Sequence, residues 1–375
     1  MKNIVIFLCI YGMKFLYFFI KIFKTRNKIT FISRQGNQNS IDFELVQKEL
    51  RRLDKEVDIV VLNRRFRDTD SLFIKIKYCF HILVQMYHIA TSKVVVLESY
   101  CMPISILKHK KSLKVVQMWH ALGSLKKFGY SIVDRKEGSS LVHIAKMHKN
   151  YDIILTSSLE ARKNFAEAFQ YTLRSFAIIP LPRVDYLMDR SIQNKLSEKI
   201  REEYPILNNK KNIVYAPTFR KNGEDIEKIM ELISCIDYRK YNLILKLHPL
   251  TKIEIKDKNP LYDKKYPTID WLNIADIVIT DYSAIVYEAA LLNKKIILYA
   301  YDLGNYEINR DFYLNYRKDM VGILAPTTKD IVQALEMKGH DRERTEIFSK
   351  KYVDYHGQNC TKKLANLILK LKRNG

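Results

Sequence analysis

The chain reads as short apolar runs separated by amphipathic stretches, and the rhythm is played twice. KITFIS (28–33), VDIVVLN (57–63), KVVVLES (93–99), KVVQMW (114–119), DIILTS (152–157) and FAIIPL (176–181) are strand-length and rich in β-branched residues. Between them, 43–52, 72–89 and 159–169 carry apolar residues at helical spacing. A charged, mostly helical stretch, 190–211, interrupts the pattern. It restarts with NIVYAPTF (212–219), NLILKLH (242–248), DIVIT (276–280) and KIILYA (295–300), with helices expected over 226–236, 284–292 and 329–337. Apolar strands alternating with helices predict parallel sheets covered on both faces. The expected class is α/β, with two Rossmann-type doubly wound parallel-sheet domains facing a cleft. Their expected bounds are 28–188 and 205–340, with 341–375 forming helices that pack back. A length of 375 residues suits two cores better than one.

Residues 1–27 stand apart as a short apolar N-terminal segment with a basic flank. NIVIFLCIYGMKFLYFFIKIF (3–23) reaches the ~20 residues of a membrane span. Lys14 sits in its middle, however, where a bilayer charges ~2.5–3.5 kcal/mol. Lys21, Lys24, Arg26 and Lys28 come next and favour an anionic cytoplasmic face. The segment is expected to associate with the cytoplasmic face of the cell membrane, as an interfacial helix or as one marginal anchor. A buried first helix is the alternative.

Charge narrows the partners. Lys and Arg number 64 against 41 Asp and Glu, a net +23, which attracts polyanions. Nucleic acid, anionic lipid and phosphate-bearing substrates all fit that sign. No nucleic-acid-binding motif is present, and aromatics do not interleave with a basic stripe, so nucleic acid is not expected. The five cysteines form no CxxC pair, which argues against a disulfide framework or a zinc ribbon. GxxxxGK[ST], GxGxxG after the first strand, and HExxH are all missing, so no metal or cofactor is expected.

In open parallel sheets the chemistry gathers beyond the carboxyl ends of the strands. Trp119-His120-Ala121-Leu122-Gly123 lies after the fourth run, and an imidazole there can take a proton from a hydroxyl. Gly123 offers close backbone approach to an anion. Lys246 and His248 alternate onto one face at the end of NLILKLH and suit a leaving phosphate. Thr218 and Arg220 come after NIVYAP, and Arg220 can fork onto a pyrophosphate. Thr280, Asp281 and Ser283 open a helix whose N-terminal amides suit an anion, with Glu288 further along it. Each feature alone also reads as ordinary structure: a satisfied histidine, a solvated cation, a capped helix.

Taken in order, KVVQMWHALGSLKKFGY, PRVDYL (182–187), NIVYAPTFRKNG, LILKLHP and DIVITDYSAIVYEAALLNKKIILYAYDLGNY resemble the CDP-glycerol glycerophosphotransferase family of teichoic acid and capsule synthesis. The entry segment ISRQGNQNSIDFEL (32–45) is similar as well, and the likeness spans about residues 28–330. The resemblance implies a GT-B-like fold. It implies transfer of glycerol phosphate from CDP-glycerol to a lipid-linked (polyprenyl-diphosphate) glycan or poly(glycerol phosphate) acceptor, with release of CMP. His120 and His248 match the family's two essential histidines. Gly123, Arg183, Thr218, Arg220, Lys246, Thr280, Asp281, Ser283 and Glu288 fall in the matching blocks as substrate-binding candidates. The chain departs from the pattern at Ala121 and Pro180, where many members have Gly, and at Glu288, where many have Asp. The large extra N-terminal domain of polymerase-type members is not expected. Three other readings stay open: CDP-ribitol as donor, a GT-B sugar-nucleotide glycosyltransferase, and a non-catalytic basic protein on an anionic membrane surface.

Overall fold

The structure, a computed structural model, describes residues 2–66, 71–133, 141–220, 223, 225–248, 251, 253–255, 257–357 and 359–374. The chain divides into two compact units. The first comprises 1–121, 128–185 and 356–375, and the second 122–127 and 186–355.

The first unit carries strands β1 (Lys28–Ser33), β2 (Asp58–Asn63), β3 (Val94–Leu97), β4 (Lys114–Gln117), β5 (Ile153–Thr156) and β6 (Phe176–Ile178). They form one sheet in the order β2-β1-β3-β4-β5-β6, every pair parallel. β1 is buried along its whole length and β3 likewise, as strands covered on both faces must be. The chain order reverses between β1 and β3, which makes their carboxyl ends the topological switch point. Helix α1 (Lys2–Ile20) opens the chain, α2 (Ile41–Leu53) comes after β1, and α3 (Leu72–Thr91) after β2. α2 starts where the Ser40 side chain accepts the Phe43 N–H, and it buries Phe43, Val46 and Leu50. The C-terminal helix Cys360–Asn374 packs on α2, and Lys372 meets Asp54.

The second unit carries β7 (Lys211–Tyr215), β8 (Tyr241–Leu245), β9 (Ile277–Thr280), β10 (Lys295–Leu298) and β11 (Ile323–Leu324). Their order is β11-β10-β9-β7-β8, again all parallel. This is the same winding as in the first unit, with its switch point between β7 and β9. Ile213, Leu243, Ile279 and Ile297 from four strands form one core with Ile229, Leu232 and Ile331 from covering helices.

Two expectations are corrected. Among the described residues no helix is long and apolar enough to cross a membrane. α1 instead turns Ile10, Met13 and Tyr17 onto the first unit, and the Tyr17 hydroxyl meets His109 Nδ1 at 2.9 Å. Its other face leaves Phe15, Phe18 and Phe19 exposed. The marginal anchor is therefore set aside for a helix that lies on the protein. Second, several strands end two or three residues before their expected bounds of 99, 119 and 248. β4 ends at Gln117, β8 at Leu245 and β3 at Leu97. His120, His248 and Glu98 thus lie in the loops just past the sheet.

Candidate active site

In the first unit the loop after β4 is held in an unusual backbone conformation. Trp119 has φ of +62°, a left-handed value that a bulky residue adopts only when its surroundings enforce it. The enforcement is visible. The Trp119 N–H donates to Gln117 Oε1 at 2.9 Å, while Gln117 Nε2 donates to the Ser99 carbonyl at 3.2 Å. The indole stacks on Phe128 at 5.1 Å and packs edge-on against Phe169. The turn sets the His120 ring against the indole, 4.3 Å between centroids.

His120 Nδ1 lies 2.9 Å from the carbonyl oxygen of Glu98. A carbonyl only accepts, so Nδ1 carries the proton and Nε2 keeps the lone pair. The half-buried ring has its pKa lowered to about 4, chiefly by burial and further by the Arg183 charge, against the pull of the Glu98 carbonyl and Asp42. His120 is therefore a neutral base at ordinary pH.

Glu98, 3% exposed, is the hub behind it. The Ser33 hydroxyl donates to one carboxylate oxygen, and the Ser40 hydroxyl donates to the other at 2.5 Å. Burial raises the Glu98 carboxyl, with the two serines opposing. Beside it, Asp42 accepts Nε of Arg183 at 2.8 Å and a second guanidinium nitrogen at 2.5 Å, and also the Arg183 backbone N–H at 2.8 Å. Arg183 thus spends its fork on Asp42 and ties the helix Arg183–Met188 to α2. The sequence reading missed Glu98 altogether, since it closes an apolar run that looks like any other strand.

In the second unit the expected residues converge on one ion-pair cluster. Arg220 donates through Nε and Nη2 to Asp302, both at 3.0 Å, and through Nη1 to Asp281 at 2.6 Å and to the Thr218 carbonyl at 2.7 Å. Asp281, 1% exposed, also accepts the Thr218 N–H at 2.8 Å. Tyr282 donates to Asp302 at 2.8 Å, and the guanidinium lies 4.9 Å from the Tyr301 ring centroid. Burial opposes the charge on Arg220, and Asp281 and Asp302 outweigh it, so the pKa is raised. The loops after β7, β9 and β10 are locked together by this one side chain.

Other expected ligands are placed differently. Arg220 was expected to fork onto a pyrophosphate, but its fork is already filled. Lys246 was expected to neutralise phosphate. Instead its three N–H donors go to the Asp263 carbonyl at 2.7 Å, the Asp263 carboxylate at 3.0 Å and the Tyr266 carbonyl at 2.6 Å. Thr280 is buried, and its hydroxyl donates to the Ala216 carbonyl at 2.8 Å. Glu288 is 2% exposed and faces the interior. Ser283 is partly exposed just before the helix Ile285–Leu291, which is shorter than the expected 284–292. His248 is partly exposed, with its ring 4.7 Å from that of Phe219.

Gly123 was expected to admit an anion. The structure gives it another task, since a Cβ there would stand 2.6 Å from Cζ of the buried Tyr287. Gly123→Ala is expected to cost about 1–3 kcal/mol through overpacking. A thermal melt checks this, and an unchanged Tm would contradict it.

The profile of the family described as CDP-Glycerol:Poly(glycerophosphate) glycerophosphotransferase matches residues 14–370. A teichoic acid ribitol-phosphate primase of Bacillus spizizenii is 31% identical over 91% of this chain and 90% of its own. A teichoic acid glycerol-phosphate primase of Bacillus subtilis (strain 168) is 28% identical over 96% of each. Among solved structures, the wall teichoic acid polymerase TagF aligns with a TM-score of 0.76 at 17% identity, covering 100% of this chain and 98% of that one. That likeness fixes the fold as GT-B-like α/β with parallel sheets.

Proposed function

The chain belongs to the CDP-glycerol:poly(glycerophosphate) glycerophosphotransferase family, a group of teichoic acid transferases, and from that premise we propose that it moves glycerol phosphate from CDP-glycerol to a hydroxyl of a lipid-linked glycan or poly(glycerol phosphate) acceptor. The observation that carries the proposal is His120. It is a neutral imidazole past the end of β4, its tautomer fixed by the Glu98 carbonyl and its Nε2 lone pair available for an incoming hydroxyl. Nε2 takes the proton as the acceptor oxygen attacks the phosphorus that bears the glycerol. The bond from that phosphorus to the CMP oxygen breaks in line, and CMP departs. His248 and Ser283, partly exposed past β8 and β9, serve the donor phosphates and the leaving CMP. Arg220 positions those loops rather than touching the phosphates.

A second reading replaces glycerol with ribitol. It is supported by the ribitol-phosphate primase, which matches this chain over nine-tenths of both lengths. Thermal stabilisation separates the donors. A ligand present at 100 times its Kd adds about 2.7 kcal/mol. CDP-glycerol is expected to raise the Tm, and UDP-sugars are not. A larger shift with CDP-ribitol would assign the second reading, and a shift with a UDP-sugar alone would move the function to sugar transfer.

The membrane side of the proposal rests on α1. Phe15, Phe18 and Phe19 are 66%, 66% and 49% exposed, and Lys21 and Lys24 come just after them. An apolar face with a basic flank suits the anionic headgroup layer of the cytoplasmic leaflet. Burying one such ring is worth about 1.5–3 kcal/mol. Replacing Phe15, Phe18 and Phe19 with Ser is therefore expected to weaken binding to anionic vesicles at least tenfold. Cosedimentation measures it, and undiminished binding would exclude α1 as the contact.

A further inference from the structure

The first unit holds a cavity of about 290 Å³ at the switch point between β1 and β3. Its lining is mostly apolar and aromatic, with Ile32, Tyr78, Ile82, Tyr100 and Met102 among the walls. Two cations, Arg34 and Lys75, also line it, and the Arg34 guanidinium lies 5.8 Å from the Tyr100 ring centroid. The volume sits at the bottom of the ~300–1,000 Å³ range of ligand pockets, which suits one segment of a long molecule.

Two features say which segment. One wall is α3, whose Lys75, Tyr78, Ile82 and Gln85 line the cavity at helical spacing. The outer face of the same helix exposes Leu72, Phe73, Ile76 and Phe80, and α3 packs beside α1 with its own exposed phenylalanines. The cavity side of α3 is mixed and its outer side is an exposed apolar patch, so the cavity adjoins a surface of the kind that meets lipid. The other wall leads to the base. Ser33 and Ser99 line the cavity, the Ser33 hydroxyl holds the Glu98 carboxylate, and the Glu98 carbonyl holds His120. Gln35, next to Arg34 in the chain, has its side-chain amide 3.3 Å from His120 Nδ1.

We propose that this cavity receives the carrier end of the acceptor: the first part of an isoprenoid chain lies among Ile32, Tyr78, Ile82 and Met102, with its phosphate at Arg34 and Lys75. The inference rests on the reading of the acceptor as lipid-linked and names the residues that recognise the lipid. It places the carrier between the membrane-facing side of α3 and the catalytic imidazole.

Farnesyl diphosphate, a soluble isoprenoid diphosphate, is the probe, and titration calorimetry is the measurement. The full chain is expected to bind it at least about tenfold more tightly than inorganic diphosphate, because the apolar chain adds buried area. Ile82→Trp fills the cavity and is expected to weaken farnesyl diphosphate at least tenfold while leaving inorganic diphosphate unchanged. Arg34→Gln should weaken both. Thermal melting checks that each variant is folded, and Cys79→Trp on the same wall replaces Ile82→Trp if that variant is not. Equal affinity for the two diphosphates, or an unaltered farnesyl diphosphate affinity in the filled variant, overturns the proposal. Turnover is scored separately with CDP-glycerol and a lipid-linked acceptor. Isoprenoid binding without turnover would sink the transferase reading and leave the cavity assignment standing.

Discussion

His120→Ala is expected to lower acceptor-dependent CMP release by about 10²–10⁴-fold, the usual contribution of a positioned general base. CDP-glycerol binding should persist, because His120 lies in the first unit, whereas His248 and Ser283, proposed above for the donor phosphates, lie in the second. His120→Asn should fare no better, since an amide can keep the Glu98 hydrogen bond but cannot accept a proton at neutral pH. The pH profile gives an independent readout. The free-enzyme pKa is lowered to about 4, so His120 is neutral above that value and charged below it. A general base works in its neutral form, so kcat/KM should hold as pH falls through 6.5 and decline only towards 4. An anionic donor favours the imidazolium, so the acid limb of kcat should lie above that of kcat/KM. Near-normal turnover in His120→Ala would remove the residue from the mechanism. A limb near 6.5 in kcat/KM would mean that the ring is solvated in the working enzyme.

Arg220→Ala carries the largest expected effect on stability. The side chains of Arg220 and Asp281 are 8% and 2% exposed, so removing the cation strands a buried carboxylate. Breaking such a pair from one side typically costs about 3–5 kcal/mol. Three loops lose their common anchor at once: Thr218 after β7, Asp281 after β9 and Asp302 after β10. That cost and the usual scaling for chains of this kind give a Tm fall of roughly 6–20 °C. Arg220→Lys keeps a charge but has no fork to span both carboxylates, so it should recover only part of the loss. The measurement also separates two roles. If Arg220→Ala melts like the parent and has lost donor binding alone, Arg220 is a direct phosphate ligand and not the anchor described here.

Much of the scaffold was legible because its signals are local. KITFIS is β1 residue for residue, and the helix read at 159–169 is Leu159–Phe169. β-branched density and helical spacing need no knowledge of the rest of the chain. β11 escaped because two residues, Ile323–Leu324, make no pattern. The histidines were legible as site candidates for the same reason: a polar residue just past an apolar run marks a strand end. What the cations do was not legible. Arg220 meets Asp302 across 82 positions, and Lys246 is taken up by Asp263 in a loop 17 positions on. Partner choice at that range is set by packing, and a lone Arg or Lys at a strand end looks the same whether it awaits a phosphate or holds a carboxylate. Glu98 was hidden by the opposite effect, a charged residue at the end of a buried strand whose two serine partners lie at 33 and 40.

The most direct test of the central claim is CMP release from CDP-glycerol by the purified chain on anionic vesicles, with and without a lipid-linked glycan acceptor, alongside CDP-ribitol. Release that requires the acceptor and vanishes in His120→Ala is the predicted result, and the donor that supports it fixes the alditol. No acceptor-dependent release from either CDP-alditol, under conditions where the parent chain is folded and vesicle-bound, would contradict the account.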